Sequence, residues 1–154
     1  MASVLTIEVR GTAFDRLERI PGALARARRL AAYRMAETWV NDTLDYIAAK
    51  KPFTPRSGQL EQSIDWRPDG DGAVAFAAAE YAPFVEHGTR PHVIRPRPGR
   101  QALRFFSDGR AVIRRKVNHP GTEPRPFFFA DFEARKRSLL RAAREAVAQT
   151  LERG

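Results

Sequence analysis

The sequence predicts an α+β protein in which a mostly antiparallel β-sheet is packed by a long helix in the N-terminal half and by a C-terminal helix. Short strand patterns lie before the first helix and between the two helices. A proline- and arginine-rich run and a hairpin pattern in the middle predict a loop and a β-hairpin that project from this body. We expect the 154 residues to form a single domain, because a chain of this length has no room for two full cores.

The N-terminal region predicts a strand followed by a short helical turn. The strand is expected within residues 1–11, on an alternation of apolar residues at Leu5, Ile7 and Val9. Thr12 is then a candidate N-cap, with Asp15 three residues further along completing an acidic variant of the capping box.

A long helix is predicted over residues 21–51, with Pro21 in its first turn and the run Lys50-Lys51-Pro52 at its end. This helix is apolar on two sides and therefore has to be covered twice. One side carries Leu24, Ala27, Ala31, Met35, Thr38 and Trp39, and the other carries Tyr33, Ala36, Val40, Leu44 and Ile47. We expect the sheet to cover one side. The C-terminal helix or a neighbouring subunit covers the other, and the cover within the chain is favoured.

Residues 52–118 predict the sheet together with a projecting arm and hairpin. A helical turn running into a strand is expected over 60–66, a turn over 68–72 and a buried strand over 73–79. The sequence YAPFVEHG predicts a short helix that ends at Gly88. Thr89 to Gly99 holds three prolines, so it is extended and cannot pair as a central strand. The stretches 102–106 and 110–117 predict the two strands of the hairpin.

The C-terminal helix is predicted over residues 127–153. Its apolar stripe comprises Phe129, Phe132, Leu139, Leu140, Ala143, Val147 and Leu151. The remaining surface is expected to be charged and exposed, through Arg135, Lys136, Arg137, Arg141, Arg144 and Glu145. This helix is therefore expected to pack on one side only.

Composition limits the class of protein. The chain has no cysteine, which excludes disulfides and thiolate chemistry and fits assembly in a reducing cytoplasm. We see no signal-peptide pattern and no apolar run near the ~20 residues that span a bilayer. The net charge of +9 favours acidic protein surfaces, polyanions or anionic membranes as partners. The segment from Arg90 to Arg125 contains ten Lys or Arg and only two acidic residues, Asp108 and Glu123, so the excess of positive charge is densest there.

The residues that carry catalytic or metal chemistry do not form a convincing site. No phosphate-binding, dinucleotide-binding or metalloprotease motif is present. The three histidines, His87, His92 and His119, match no standard metal spacing, and loop-fixing hydrogen bonds or exposure explain them better. We therefore predict that the chain is not an enzyme and uses no cofactor and no metal.

Three motifs in the middle of the chain resemble those of the tail-completion, or head–tail joining, proteins of long-tailed phages and prophages. The first element runs from Pro52 to Ile64 and matches the family at Pro55, Gly58, Leu60, Ser63 and Ile64, with Ser57 in place of the usual Thr. The second matches at Tyr81, Ala82, Val85, Glu86, Gly88 and Thr89. The third matches at His119, Pro120, Gly121, Thr122, Pro126 and Phe127. The resemblance covers about residues 20–150.

The resemblance implies a non-catalytic structural protein of the virion, in the neck or at the head-proximal end of the tail. Its subunits would form a homo-oligomeric ring that contacts head-closure or connector proteins and tail-terminator or tail-tube proteins. The loops of the motifs are expected to be shaped by Tyr81, Gly88, Thr89, His119, Pro120, Gly121, Thr122, Pro126 and Phe127. We expect a neighbouring subunit or the connector to be contacted by Glu86, Arg90, Arg95, Arg97, Arg100 and Arg104.

Nucleic-acid binding is the alternative function. The basic residues of the hairpin are Arg110, Arg114, Arg115 and Lys116, with Phe105 and Phe106 nearby. They are candidates to face DNA, either in the channel of a ring or as the main surface of a free basic nucleic-acid-binding protein. No known reader motif is present, and few aromatic residues alternate with the basic ones.

Overall fold

A computed structural model of the chain describes residues 5–9, 22–54, 57–107 and 109–152. Its elements, in chain order, are β1 (Leu5–Val9), α1 (Ala23–Lys50), α2 (Gln59–Gln62), β2 (Ile64–Asp69), β3 (Gly72–Ala77), α3 (Ala82–His87), β4 (His92–Ile94), β5 (Leu103–Ser107), β6 (Arg110–Arg114), β7 (Val117–His119) and α4 (Phe132–Glu152). The helices and the antiparallel pairing of all strands confirm the predicted α+β class. The predicted helical turn at Thr12 and Asp15, and Pro21, lie outside the described residues.

The main sheet has three antiparallel strands in the order β1-β3-β2. Strand β3 lies in the centre because its run of small apolar residues is buried on both faces, with Ala73, Val74, Ala75 and Ala77 all in the core. Pro68 lies on β2, an edge strand, where its missing N–H costs no ladder hydrogen bond.

Helix α1 is covered on two sides, as its sequence predicts, and both covers come from the same chain. The three-stranded sheet packs on one side and α4 packs on the other. Trp39 lies fully buried and contacts the phenylalanines at the start of the C-terminal region, with ring centroids 6.0 Å from Phe128 and 5.9 Å from Phe132. The helix ends at Lys50, because Lys51 is left-handed and its N–H bonds to the Ile47 carbonyl at 3.0 Å.

The remaining strands form two ribbons outside the main sheet. Strands β4 and β7 pair through His92↔His119 and Ile94↔Val117, and β5 and β6 form the predicted hairpin. The hairpin is shorter than the sequence predicts, because its second strand ends at Arg114. Residues Val117–His119 instead pair with β4, which gives the three-proline segment a partner in a two-stranded ribbon.

The C-terminal helix begins five residues later than predicted, at Phe132 instead of Phe127. The backbone N–H groups of Phe127, Phe128 and Phe129 are bound by the carboxylate of Glu86, and Asp131 has a left-handed backbone with φ of 52°. This segment therefore packs as an irregular stretch, and the prediction of helix over 127–131 is wrong. No helix in the described ranges is long and apolar enough to cross a membrane.

Candidate interaction site

The three motif segments, which are separated by 19 and 26 residues in the sequence, meet around one open cleft of about 1340 Å³. The first segment contributes residues from Phe53 to Glu61, the second contributes Tyr81 to His92, and the third contributes His119 to Arg125. Apolar side chains line much of the cleft, namely Phe53, Leu60, Tyr81, Phe84, Val85 and Ile94. Phe84 is 58% exposed and Tyr81 is 41% exposed, so the cleft presents aromatic surface to solvent.

The second and third motif segments cross at a pair of glycines, Gly88 and Gly121. Thr89 and Thr122 exchange two backbone hydrogen bonds of 2.9 and 3.1 Å, and their hydroxyls lie 3.1 Å apart. Gly88 has φ of 69°, and a Cβ there would lie 2.4 Å from the Thr122 carbonyl oxygen. Gly121 has φ of 91°, and its Cβ would lie 2.3 Å from the Thr89 carbonyl oxygen. Only glycine fits either position, because any side chain would clash with the opposite backbone.

The histidines of the two segments contribute to the same junction. The rings of His92 and His119 are stacked with centroids 5.0 Å apart. Nδ1 of His119 accepts the Gly121 N–H at 3.1 Å, and Nδ1 of His92 lies 2.9 Å from the Arg90 carbonyl, to which it donates. His87 is exposed at the end of α3. Among the described residues, no group of three or more His, Asp or Glu side chains is arranged to hold a metal ion.

Glu86 is placed differently from the sequence-based expectation. Its side chain is 3% exposed, so it is not available to contact a neighbouring subunit or connector. Oε2 accepts the N–H groups of Phe127 and Phe128 at 2.8 and 2.9 Å, and Oε1 accepts that of Phe129 at 3.1 Å. A buried carboxylate is tolerated where several donors bind it. Glu86 therefore fixes the third motif against α3.

Arg135 of α4 binds the same phenylalanine segment from the other side, and like Glu86 it was expected from the sequence to be exposed. It is 4% exposed, although its charge predicted a solvent position. Its guanidinium donates to the carbonyls of Phe128 at 2.6 Å and Phe127 at 3.0 Å and to the Thr43 hydroxyl at 3.0 Å. A usable signal was its spacing, since residue 135 lies three positions after Phe132 and four before Leu139, on the apolar stripe.

Burial of this junction perturbs two charged groups. Desolvation lowers the pKa of Arg135, an effect opposed by the negative charge of Asp42 nearby. Desolvation also raises the pKa of Asp42, against the hydrogen bond from Ser138 and the charge of Arg135. The guanidinium also lies over the rings of Trp39 and Tyr46, 5.3 Å from each centroid, so aromatic faces replace part of its hydration.

The other residues predicted to shape the loops lie where the motifs turn. Tyr81 precedes α3, and its carbonyl accepts the N–H groups of Phe84 and Val85. Pro120 and Pro126 are exposed and flank the glycine crossing and the phenylalanine run. Phe127 is fully buried and meets Phe53 of the first motif edge to face, with centroids 5.6 Å apart, so it belongs to the core.

We call residues 90–116 the basic arm. They hold nine of the 27 Lys and Arg but only one of the 18 Asp and Glu, so the arm accounts for +8 of the net charge of +9. All nine basic residues are exposed, namely Arg90, Arg95, Arg97, Arg100, Arg104, Arg110, Arg114, Arg115 and Lys116. Within the part of the chain that the structure describes, none of them forms an ion pair with a carboxylate. Their charge is therefore available to a partner.

The hairpin at the end of the basic arm also exposes apolar side chains. The register places Phe106, Ile113 and Ala111 together with Arg104 on one face, because cross-strand partners share a face. Phe106 is 72% exposed and Ile113 is 62% exposed, whereas Phe105 on the opposite face is 37% exposed. Of the predicted contact residues, Arg104 lies on the face of Phe106 and Ile113, whereas the predicted DNA-facing residues Arg110 and Arg114 lie on the opposite face.

Comparison of this chain with protein-family models, with curated proteins and with solved structures finds no match. The functional assignment therefore depends on the site itself and on the motif resemblance.

Proposed function

We propose that this chain is a structural protein of a tailed phage or phage-derived particle, which forms a ring at the head–tail junction and joins the head connector to the tail. The observation that carries the proposal is the convergence of the three motifs. Segments separated by 19 and 26 residues line a single cleft, and two of them cross at the base of the basic arm. Its exposed aromatic side chains, Tyr81 and Phe84, suit the cleft to molecular contact.

Two surfaces on each copy are required for a closed ring, because a head-to-tail contact joins two different patches. The basic arm and the cleft are two such surfaces on this chain. The other partners under this proposal are head-closure or connector proteins on one side and tail-terminator or tail-tube proteins on the other. The protein is placed in the virion after assembly in the host cytoplasm, and its role uses no cofactor and no metal.

The proposal is tested by removing the charge of the arm in the phage or prophage that carries the gene. The variant replaces Arg90, Arg95, Arg97 and Arg100 with Gln, which keeps side-chain length. We expect the purified variant to have an unchanged circular dichroism spectrum, and the lysate to contain separate heads and tails by electron microscopy. Normal joined particles would refute the proposal.

The matched control removes the same number of charges from exposed positions on the two long helices. It replaces Arg29, Arg137, Arg141 and Arg144 with Gln, a residue of similar helix propensity. This control is expected to give joined particles, so loss of joining in the arm variant is attributable to the position of the charges.

Free nucleic-acid binding is the second candidate function, favoured by the concentration of +8 in the arm beside exposed Phe105 and Phe106. A protein that neutralises several phosphates binds more weakly as salt rises, with a slope in log–log form of about −0.9 per phosphate on duplex DNA. A monomer that binds DNA with a steep slope, lost in the arm variant, supports this second function. A stable ring with weak DNA affinity supports the first.

A further inference from the structure

The hairpin formed by β5 and β6 lacks a cover within the described chain. None of its residues that the structure describes is buried, and none of the residues that line the cleft comes from it. An isolated two-stranded hairpin is at best marginally stable in water, so a hairpin with apolar side chains on both faces is expected to pack against something. Phe106 and Ile113 are the most exposed apolar residues on it.

The cleft is the complementary surface. It is open and apolar-lined, and Phe84 presents more than half of its surface to solvent there. Because the chain's own hairpin does not enter it, the cleft is available to the same element of another copy. Aromatic side chains that meet at such contacts bury about 150–250 Å² each, which makes Phe84 and Phe106 suitable anchors.

Charge favours the cleft of a second copy over the arm of a second copy. Two arms of +8 repel each other, whereas the rest of the chain has 18 basic and 17 acidic residues and a net charge of only +1. Glu61 and Glu123 line the cleft together with Arg90 and Arg125, so these four charges cancel and the cleft does not repel a basic hairpin.

We propose that the hairpin of one copy docks its Phe106–Ile113 face into the cleft of the next copy, against Phe84. This inference rests on the proposed ring function and names its subunit contact. The contact is head-to-tail, so it leaves one free hairpin and one free cleft on any open chain of subunits, and closure into a ring removes both.

The absence of cysteine makes a direct test possible, because each introduced thiol is the only one in its chain. One protein carries Phe106→Cys and a second carries Phe84→Cys, and the two are mixed under a mild oxidant. We expect a disulfide-linked heterodimer on a non-reducing gel, at least ten-fold more abundant than for the control pair. The control pairs Phe106→Cys with Leu140→Cys, which is 46% exposed on α4. Equal yields from the two pairs would overturn the proposal.

A second measurement separates failure of the contact from failure of the ring. Phe106→Ser combined with Ile113→Ser is expected to reduce the oligomeric mass to that of a monomer, whereas Val93→Ser, an exposed residue of β4, is expected to leave it unchanged. Rings that persist in the double variant, without the cross-link, refute the hairpin contact and leave the ring function standing. A specific cross-link from a protein that is absent from joined particles supports the contact and refutes the neck function. DNA binding by the hairpin in place of the cross-link refutes the contact.

Discussion

Replacement of Glu86 by Gln tests whether one buried carboxylate holds the third motif in place. The substitution preserves the size of the side chain but removes its charge and turns one of its two acceptor oxygens into a donor. Three backbone N–H groups depend on those oxygens, two on Oε2 and one on Oε1. In either orientation of the amide, at least one N–H of the phenylalanine run faces another donor.

The expected loss of stability in Glu86→Gln follows from these three hydrogen bonds. Hydrogen bonds to a charged group contribute about 1.5–3 kcal/mol each, and a buried N–H without an acceptor costs about 1–3 kcal/mol. Neutralisation weakens the bonds that survive without removing them. We therefore expect the free energy of unfolding to fall by about 3–5 kcal/mol, a large part of the roughly 5–15 kcal/mol typical of a folded domain.

The assay is urea denaturation monitored by tryptophan fluorescence, since the ring of Trp39 contacts Phe128. Glu80→Gln is the control, because Glu80 is exposed and its replacement is expected to change stability by less than about 0.5 kcal/mol. A decrease of less than about 1 kcal/mol for Glu86→Gln, with an unchanged dependence on urea, would show that the carboxylate does not anchor this segment.

Two further predictions concern the crossing and the buried charges. Gly88→Ala is expected to lower the free energy of unfolding by more than about 2 kcal/mol, because it adds a backbone clash to the strain of a positive φ. The control is Gly99→Ala, where φ is positive but the space around the Cβ is open, and it is expected to lower the free energy of unfolding by only about 1 kcal/mol. If thermal unfolding shows the same loss of stability for Gly88→Ala and Gly99→Ala, the close backbone contact at Gly88 does not explain the effect. Asp42→Asn is expected to raise stability at pH 7 relative to the unmodified chain and to lose that advantage at pH 3. The pKa of Asp42 is raised in the folded protein, so its contribution to stability is fully present below its ordinary pKa of 3.8 and is lost as pH rises through the folded pKa. An advantage that grows as pH falls would contradict the raised pKa.

Local patterns in the sequence predicted most of the secondary structure. The two apolar sides of α1 required two covers, and the apolar run flanked by turns predicted a buried strand; both are found. The hairpin was predicted because its turn residues lie between two strand patterns. These features depend on residues that are neighbours in sequence, so periodicity and turn chemistry are sufficient for them.

The junction around Glu86 was beyond reach of the same reasoning. Three consecutive phenylalanines resemble the start of an apolar helix, and their irregular backbone is explained only by a carboxylate 41 residues earlier in the chain. Arg135 was assigned to solvent by its charge, because its acceptors are carbonyls of that same irregular backbone. Local propensity gives way where a tertiary partner binds the main chain. The cleft was likewise not predicted, although all three motifs that line it were.

The glycine crossing at Gly88 and Gly121 separates the packed core from the segment that projects from it. The chain leaves the body and returns to it at one point, where two backbone hydrogen bonds between Thr89 and Thr122 close a loop of the 32 residues between them. Among the described residues beyond that point, no side chain is buried until Phe127. Insertions, deletions and changes of charge between Ile94 and Val117, inside the crossing, therefore leave the core intact. That part of the chain can vary in length and charge without disturbing the fold that presents it.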